Sequence, residues 1–269
     1  MPLAFNIAVR LAHACLFLVA TSATGSAATP QSAANTNVGT DGCLIVRFDR
    51  TPSSLPARFC GHSWASVVTS LGKLGLEKDR YETSAQHSIR VMKLLQRPLY
   101  GAVAGTGMLA FSTPVKTEYD ADKASYTVWA PMELLSNYQW SLQVGKNSAS
   151  GQAYSAENAF GVKKAVSTEM VRSVVLQSKA TPVGSKSLFA YIKYPPAKAR
   201  DLDGHQLAFL FIGRLSAPFL TTDRTYDRPT ISSPVERITT HTVIGFALSE
   251  TWLYDYSTGI VLSKSVRLH

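Results

Sequence analysis

Gly61-His62-Ser63-Trp64-Ala65 has the spacing of the turn that presents a nucleophilic serine in many hydrolases, with alanine where the last glycine would stand. That chemistry needs Ser63 on a sharp strand-to-helix turn, a histidine to take its proton and a carboxylate to orient the histidine. Asp203 and His241 follow in the right chain order, but nothing else selects them. Only one short strand precedes the motif, where the fold that uses it builds several strands and helices first. The competing reading is a helix N-terminus at which Ser63 or His62 acts as a cap.

Metal chemistry has less support. His62, His87, His205, His241 and His269 are far apart, with no spacing that puts two of them on one face. Asp120-Ala121-Asp122 and Asp201-Leu202-Asp203-Gly204 begin a calcium-loop pattern but lack its third acidic ligand and terminal Glu, and so read as surface turns. Glu250 alternates with Phe246, Leu248, Trp252 and Tyr254. It therefore either points toward the apolar face, where its carboxylate would need a partner, or faces water at an edge or bulge. No residue is assigned a catalytic, cofactor-binding or metal-ligating role, and no cofactor is expected.

Asp223-Arg224-Thr225-Tyr226-Asp227-Arg228 repeats an acid/arginine pair around an aromatic. Guanidinium forks suit carboxylate or phosphate, and tyrosine adds a rigid contact area. The segment lies in Ser216–Thr240, rich in Pro, Thr, Asp and Arg and poor in apolar pattern, which predicts a long loop. Asp223, Arg224, Tyr226, Asp227 and Arg228 are thus candidates for an interaction loop, the competing reading being internal salt bridges in a solvated segment.

The elements that would position these residues begin late in the chain. Residues 1–28 read as an export signal. Arg10 is the one early charge, Leu11–Ala20 is an apolar run too short to span a bilayer, and Ser26-Ala27-Ala28 offers small residues for cleavage. Residues 29–42 carry no apolar period and are expected to be a flexible tail. Residues 43–269 are long enough for one large domain or two subdomains dividing near 146–158. No later segment approaches the roughly 20 apolar residues of a membrane helix, so no transmembrane helix is expected in the mature chain.

Cys15 falls in the middle of the leader's apolar run, a poor place for lipid attachment. Cys43 and Cys60 are then the mature thiols, expected to pair as a disulfide in an oxidising compartment or else to sit buried and free.

Cys43–Phe48 is predicted to be a strand. Ser63–Leu71 reads as a short helix. A second helix starts at a capping box, Thr83 with Gln86, presents Ile89, Val91, Met92 and Leu95 as its apolar face, and ends before Pro98. After Gly107 the pattern turns to alternation. Strands are predicted at Met108–Phe111, Tyr126–Trp129 and Tyr138–Val144, and two more within Phe160–Leu176. Further strands follow at Leu188–Tyr194, Leu207–Ile212, Thr242–Tyr254 and Gly259–Ser263. Early helices followed by runs of strands predict an α+β protein: early short helices, then a predominantly antiparallel β-sheet or sandwich.

Lys and Arg number 27 against 18 Asp and Glu, a formal charge of +9. Such a balance favours anionic surroundings, and for an exported chain the partner would be an envelope protein, a polysaccharide or an anionic lipid surface rather than nucleic acid. Asp79-Arg80-Tyr81-Glu82-Thr83-Ser84 with Arg90, Tyr119-Asp120-Ala121-Asp122 and Glu157-Asn158-Ala159-Phe160-Gly161 resemble segments of uncharacterised exported bacterial proteins. The resemblance implies a bacterial envelope setting and no activity. The expectation is therefore a periplasmic or secreted binding module. The alternatives are a secreted serine hydrolase using Ser63 and a structural envelope component.

Overall fold

The computed structural model describes residues 38–39, 41–157, 159–179 and 187–269, so residues 1–28, expected to be an export signal, and residues 29–37 lie outside the described residues. Helices α1 (Trp64–Gly72) and α2 (Ser84–Gln96) come first, followed by a small ribbon of β1 (Pro98–Tyr100) and β2 (Val103–Ala104). Then come β3 (Leu109–Pro114), β4 (Lys116–Asp120), β5 (Ser125–Leu134), β6 (Trp140–Ser150), β7 (Tyr154–Glu157), β8 (Lys163–Gln177) and β9 (Ser187–Lys193). The short helix α3 (Pro196–Arg200) leads to β10 (Leu207–Leu215), β11 (Thr221–Asp227), β12 (Val235–Asp255) and β13 (Val261–Ser263).

The α+β expectation is overturned. Strand accounts for 49% of the described residues and helix for 12%, and eleven strands form one curled, mixed sheet, so the protein is β-rich. The predicted helices exist, but they are short and bring little to the core: Val67 and Leu71 from α1, Val91 and Leu95 from α2. Thr83 and Gln86 form the capping box as predicted, whereas Ile89 and Met92 on the same helix face solvent, because the sheet receives only a narrow stripe.

The sheet runs β3-β10-β12-β8-β6-β5-β4, with β11 and β13 added to β12, β7 to β8 and β9 to β5. Its longest member, β12, serves two partner sets. Val235–Gly245 lies parallel to Ser167–Gln177 of β8 and carries β11 on its other side, while Phe246–Asp255 pairs antiparallel with β10. Phe160–Leu176, expected as two strands, is instead dominated by the single fifteen-residue β8. Parallel pairing between segments about seventy residues apart leaves no local mark in either sequence.

Leu207–Ile212 is a continuous apolar run because β10 is buried on both faces. Phe209 and Phe211 join Phe111, Phe246, Leu142 and Leu176 in the main core inside the curl. Leu210 and Ile212 face the other way, into a second cluster with Trp252, Tyr254, Phe48 and Phe59.

That second cluster explains Cys43–Phe48. The segment is not a strand of the sheet and makes only bridges at Leu44, to Val38 and His62. It lies over the outer face of β10 and β12 and is tied down there. Cys43 is disulfide-bonded to Cys60 with the Cα atoms 5.4 Å apart. The Leu44 amide donates to the Gly61 carbonyl at 2.7 Å, and the Tyr100 hydroxyl donates to the Leu44 carbonyl at 3.2 Å. For a sequence separation of 17, reduction is expected to cost about 3 kcal/mol by releasing loop entropy in the unfolded chain. Thermal melts with and without a reductant check this, and an unchanged Tm would mean that the remaining contacts hold the segment unaided.

Candidate functional site

The predicted triad is not assembled. Ser63 is the N-cap of α1, its Oγ accepting the Ser66 amide at 3.3 Å. Gly61 and His62 run beside β3, with the His62 amide donating to the Ala110 carbonyl at 2.7 Å. The His62 ring is buried. Its Nδ1 accepts the Ala110 amide at 2.9 Å and its Nε2 donates to the Val46 carbonyl at 3.0 Å, so both nitrogens are used by backbone. Burial pushes its pKa down to about 4, and the ring is a neutral strut at pH 7. His241 sits in β12 with Nε2 on the Thr225 hydroxyl at 3.0 Å, and Asp203 lies in the turn after α3. Among the described residues no hydrogen bond links Ser63 to either of them.

Glu250 is partnered rather than free. It accepts from Arg50 Nη1 at 2.8 Å and from its neighbour two residues on, Trp252 Nε1, at 2.9 Å, close to a bulge in the β10–β12 pairing. The calcium-like turns hold no ligand set, since no cluster of three metal-binding side chains occurs among the described residues.

Asp223–Asp227, expected in a loop, is strand β11, paired residue for residue with Arg237–His241 of β12. Apolar periodicity failed to reveal it because an edge strand with little core beneath it needs no apolar face. The strand's period of two sorts the charges of the motif. Asp223 and Asp227 share one face, and Arg224 and Tyr226 point to the other.

On the first face the acids are consumed. Asp223 accepts from the Ser136 amide at 2.8 Å and from its hydroxyl; burial raises its pKa, but these donors outweigh that and hold it below the usual carboxylate range. Asp227 lies 3.8 Å from Arg237, whose guanidinium also bonds Glu169 at 2.8 Å, and Lys146 bonds Glu133 at 3.2 Å.

The opposite face is different. One row across four strands reads Asn147, Arg172, Thr240, Arg224, from β6, β8, β12 and β11. Arg172 and Arg224 are two strand spacings apart, roughly 9–10 Å at the backbone. Both are exposed and neither makes an ion pair among the described residues. The next row toward the tip reads Ala149, Met170, Ile238, Tyr226, with Met170 63% and Tyr226 51% exposed. Beyond it, the Glu236 carboxylate is clasped by the hydroxyls of Tyr154 at 2.8 Å and Tyr226 at 2.9 Å, which raises the pKa of both phenols and fixes their rings.

Of the residues on this face, Arg224 and Tyr226 are among the sequence candidates, whereas Arg172, Tyr154 and Glu236 are not; Arg228 lies just past the end of β11. Arg172 sits at even parity with Met170 and Val174 in β8, a local signal, yet its neighbour in space comes from β11 through β12. In comparisons with known proteins, the chain matches no family model, no curated protein and no solved structure, so its function is read from its own geometry.

Proposed function

We propose that the chain is an exported binding module. Its docking surface is the exposed face of β6, β8, β12 and β11 that carries Arg172, Arg224, Met170 and Tyr226, and its partner is an acidic protein of the envelope. The segregation of charge across β11 carries the reading. Acids on one face are neutralised by neighbours, while two unpaired arginines on the other stand beside a row in which Met170 and Tyr226 are exposed and Ile238 is half-buried. Arg, Tyr and Met together are the residue types enriched at protein interfaces, and paired guanidiniums bind carboxylates with defined geometry. The apolar row is too small for membrane insertion to be the main attraction, and the hydroxyls of Tyr154 and Tyr226 are spent on Glu236 rather than free to bond a sugar.

The full chain, expressed in a bacterial host, should lose residues 1–28 on export, which intact-mass measurement reads directly. The processed protein is then used as bait against envelope extract at low and high salt, beside Arg172→Ala/Arg224→Ala. A defined acidic protein held by the wild type should be held roughly tenfold or more weakly by the double variant, and salt should weaken the wild type toward the same level. Equal capture by both proteins removes this face from the reading. Retention on polygalacturonate or phosphatidylglycerol vesicles instead, lost in the same variant, would keep the face and replace the partner class.

A further inference from the structure

At the other end of the sheet, away from the arginine face, a histidine is held by a buried carboxylate beside a cavity. Asp255, the last residue of β12, is 1% exposed. Its Oδ1 accepts the Ser257 amide at 2.8 Å. Its Oδ2 accepts the Thr258 hydroxyl at 2.6 Å and lies 2.8 Å from His205 Nδ1. Burial opposes its charge, yet these donors prevail and keep it below the usual carboxylate range, so it is ionised at neutral pH. An ionised carboxylate fixes the proton of a neutral imidazole on Nδ1 and leaves the lone pair on Nε2. His205 Nε2 has no hydrogen-bond partner among the described residues, and its ring, 36% exposed, lines a cavity of about 700 Å³.

The cavity is suited to a small molecule in size and lining. Tyr119 and Tyr126 form part of its wall with ring centroids 4.8 Å apart. Their hydroxyls are spent on the carbonyls of Tyr194 and Ala199, so what they offer a ligand is apolar ring. Leu202 and Leu207 extend the apolar part. Arg200 and Asp203 line it beside His205, and Arg200 makes no ion pair among the described residues.

We propose that this cavity is a hydrolytic site for small carboxylic esters with an apolar acyl or aryl group, with His205 as general base and Asp255 as its positioning residue. His205 Nε2 takes a proton from water as the water oxygen bonds to the acyl carbon. The carbonyl electron pair moves onto oxygen, next to the positive charge of Arg200. When the tetrahedral species collapses, the C–O bond to the alcohol breaks and Nε2–H returns the proton to the leaving oxygen. Water and ester become acid and alcohol, with no other reactant. The site does not depend on the docking face.

The test uses the processed full chain with p-nitrophenyl butyrate. Wild type should hydrolyse it above the rate of the heat-denatured protein. His205→Ala, its Tm measured alongside, should lower kcat/KM roughly 100-fold or more. Added imidazole should restore part of that loss beyond its own rate in buffer, which a purely structural role would not allow. Asp255→Asn should lower kcat with little change in KM, its Tm being measured alongside, while Ser63→Ala should leave the rate unchanged. No hydrolysis by wild type, or a His205→Ala protein as active as wild type, overturns the assignment. Loss of activity on Ser63→Ala would transfer it to the serine.

Discussion

Lowering the pH from 6.5 to 4 is expected to remove about 3 kcal/mol of folding stability through His62 alone. The ring has an ordinary pKa of 6.5 in the unfolded chain and about 4 in the fold, where burial disfavours the charged form. Because the folded value is the lower one, the fold binds fewer protons than the unfolded chain between these limits. Stability is therefore complete above pH 6.5 and is lost as pH falls toward 4, at about 1.4 kcal/mol for each pH unit between the two values. Below pH 4 both states carry the proton and the loss from this residue stops. Protonation also turns Nδ1 from acceptor to donor and so opposes the Ala110 amide that it now accepts. His241 has its pKa lowered in the same direction and adds to the slope, whereas Asp223 and Asp255, held below their usual range, lose their contribution only at lower pH. Urea midpoints measured across this window should fall for the wild type and fall much less for His62→Gln, which starts less stable. Parallel slopes in the two proteins would show that His62 does not drive acid unfolding.

Gly61→Ala is expected to cost about 4 kcal/mol or more and to leave little folded protein at 37 °C. Gly61 has φ +68, a conformation that a side chain disfavours, and an added Cβ would lie 2.4 Å from the Ala110 carbonyl oxygen. The obstacle is backbone of β3 in the middle of the fold, which cannot give way as a side-chain tip would. Two residues on, Ser63→Ala removes only a cap bond from α1 and should cost about 1 kcal/mol. The ranking matters for function. In a hydrolase elbow the serine would be chemically indispensable, whereas here the glycine carries the structure. Chemical denaturation of both variants reads it out, and a Gly61→Ala protein within about 1 kcal/mol of wild type would contradict the close approach to β3.

Features set by near neighbours are legible in the chain. The α2 capping box needs only Thr83 and Gln86, three residues apart, and it is present. Asp120-Ala121-Asp122, read as a surface turn, lies where β4 ends and turns into β5. The Cys43–Cys60 bond also follows from two thiols close in sequence. Local reading fails where a distant segment decides the conformation. Cys43–Phe48 has the composition of a strand but finds no continuous partner and becomes a strap over a second core. Asp223–Asp227 has the composition of a loop but finds β12 and becomes a strand.

Sequence by itself determined the positions of the turns, both main helices, most strands and the alternating identity of residues along them, because these depend on neighbours within a few positions. Tertiary structure alone decided that β8 and β12 run parallel and so set Arg172 two strands from Arg224. It also turned the acids of β11 away from Arg224 and brought His205 to Asp255 across fifty residues. Each of those placements is a register between segments far apart in the chain. Register is selected by which face the whole sheet must bury, a quantity that no single segment carries.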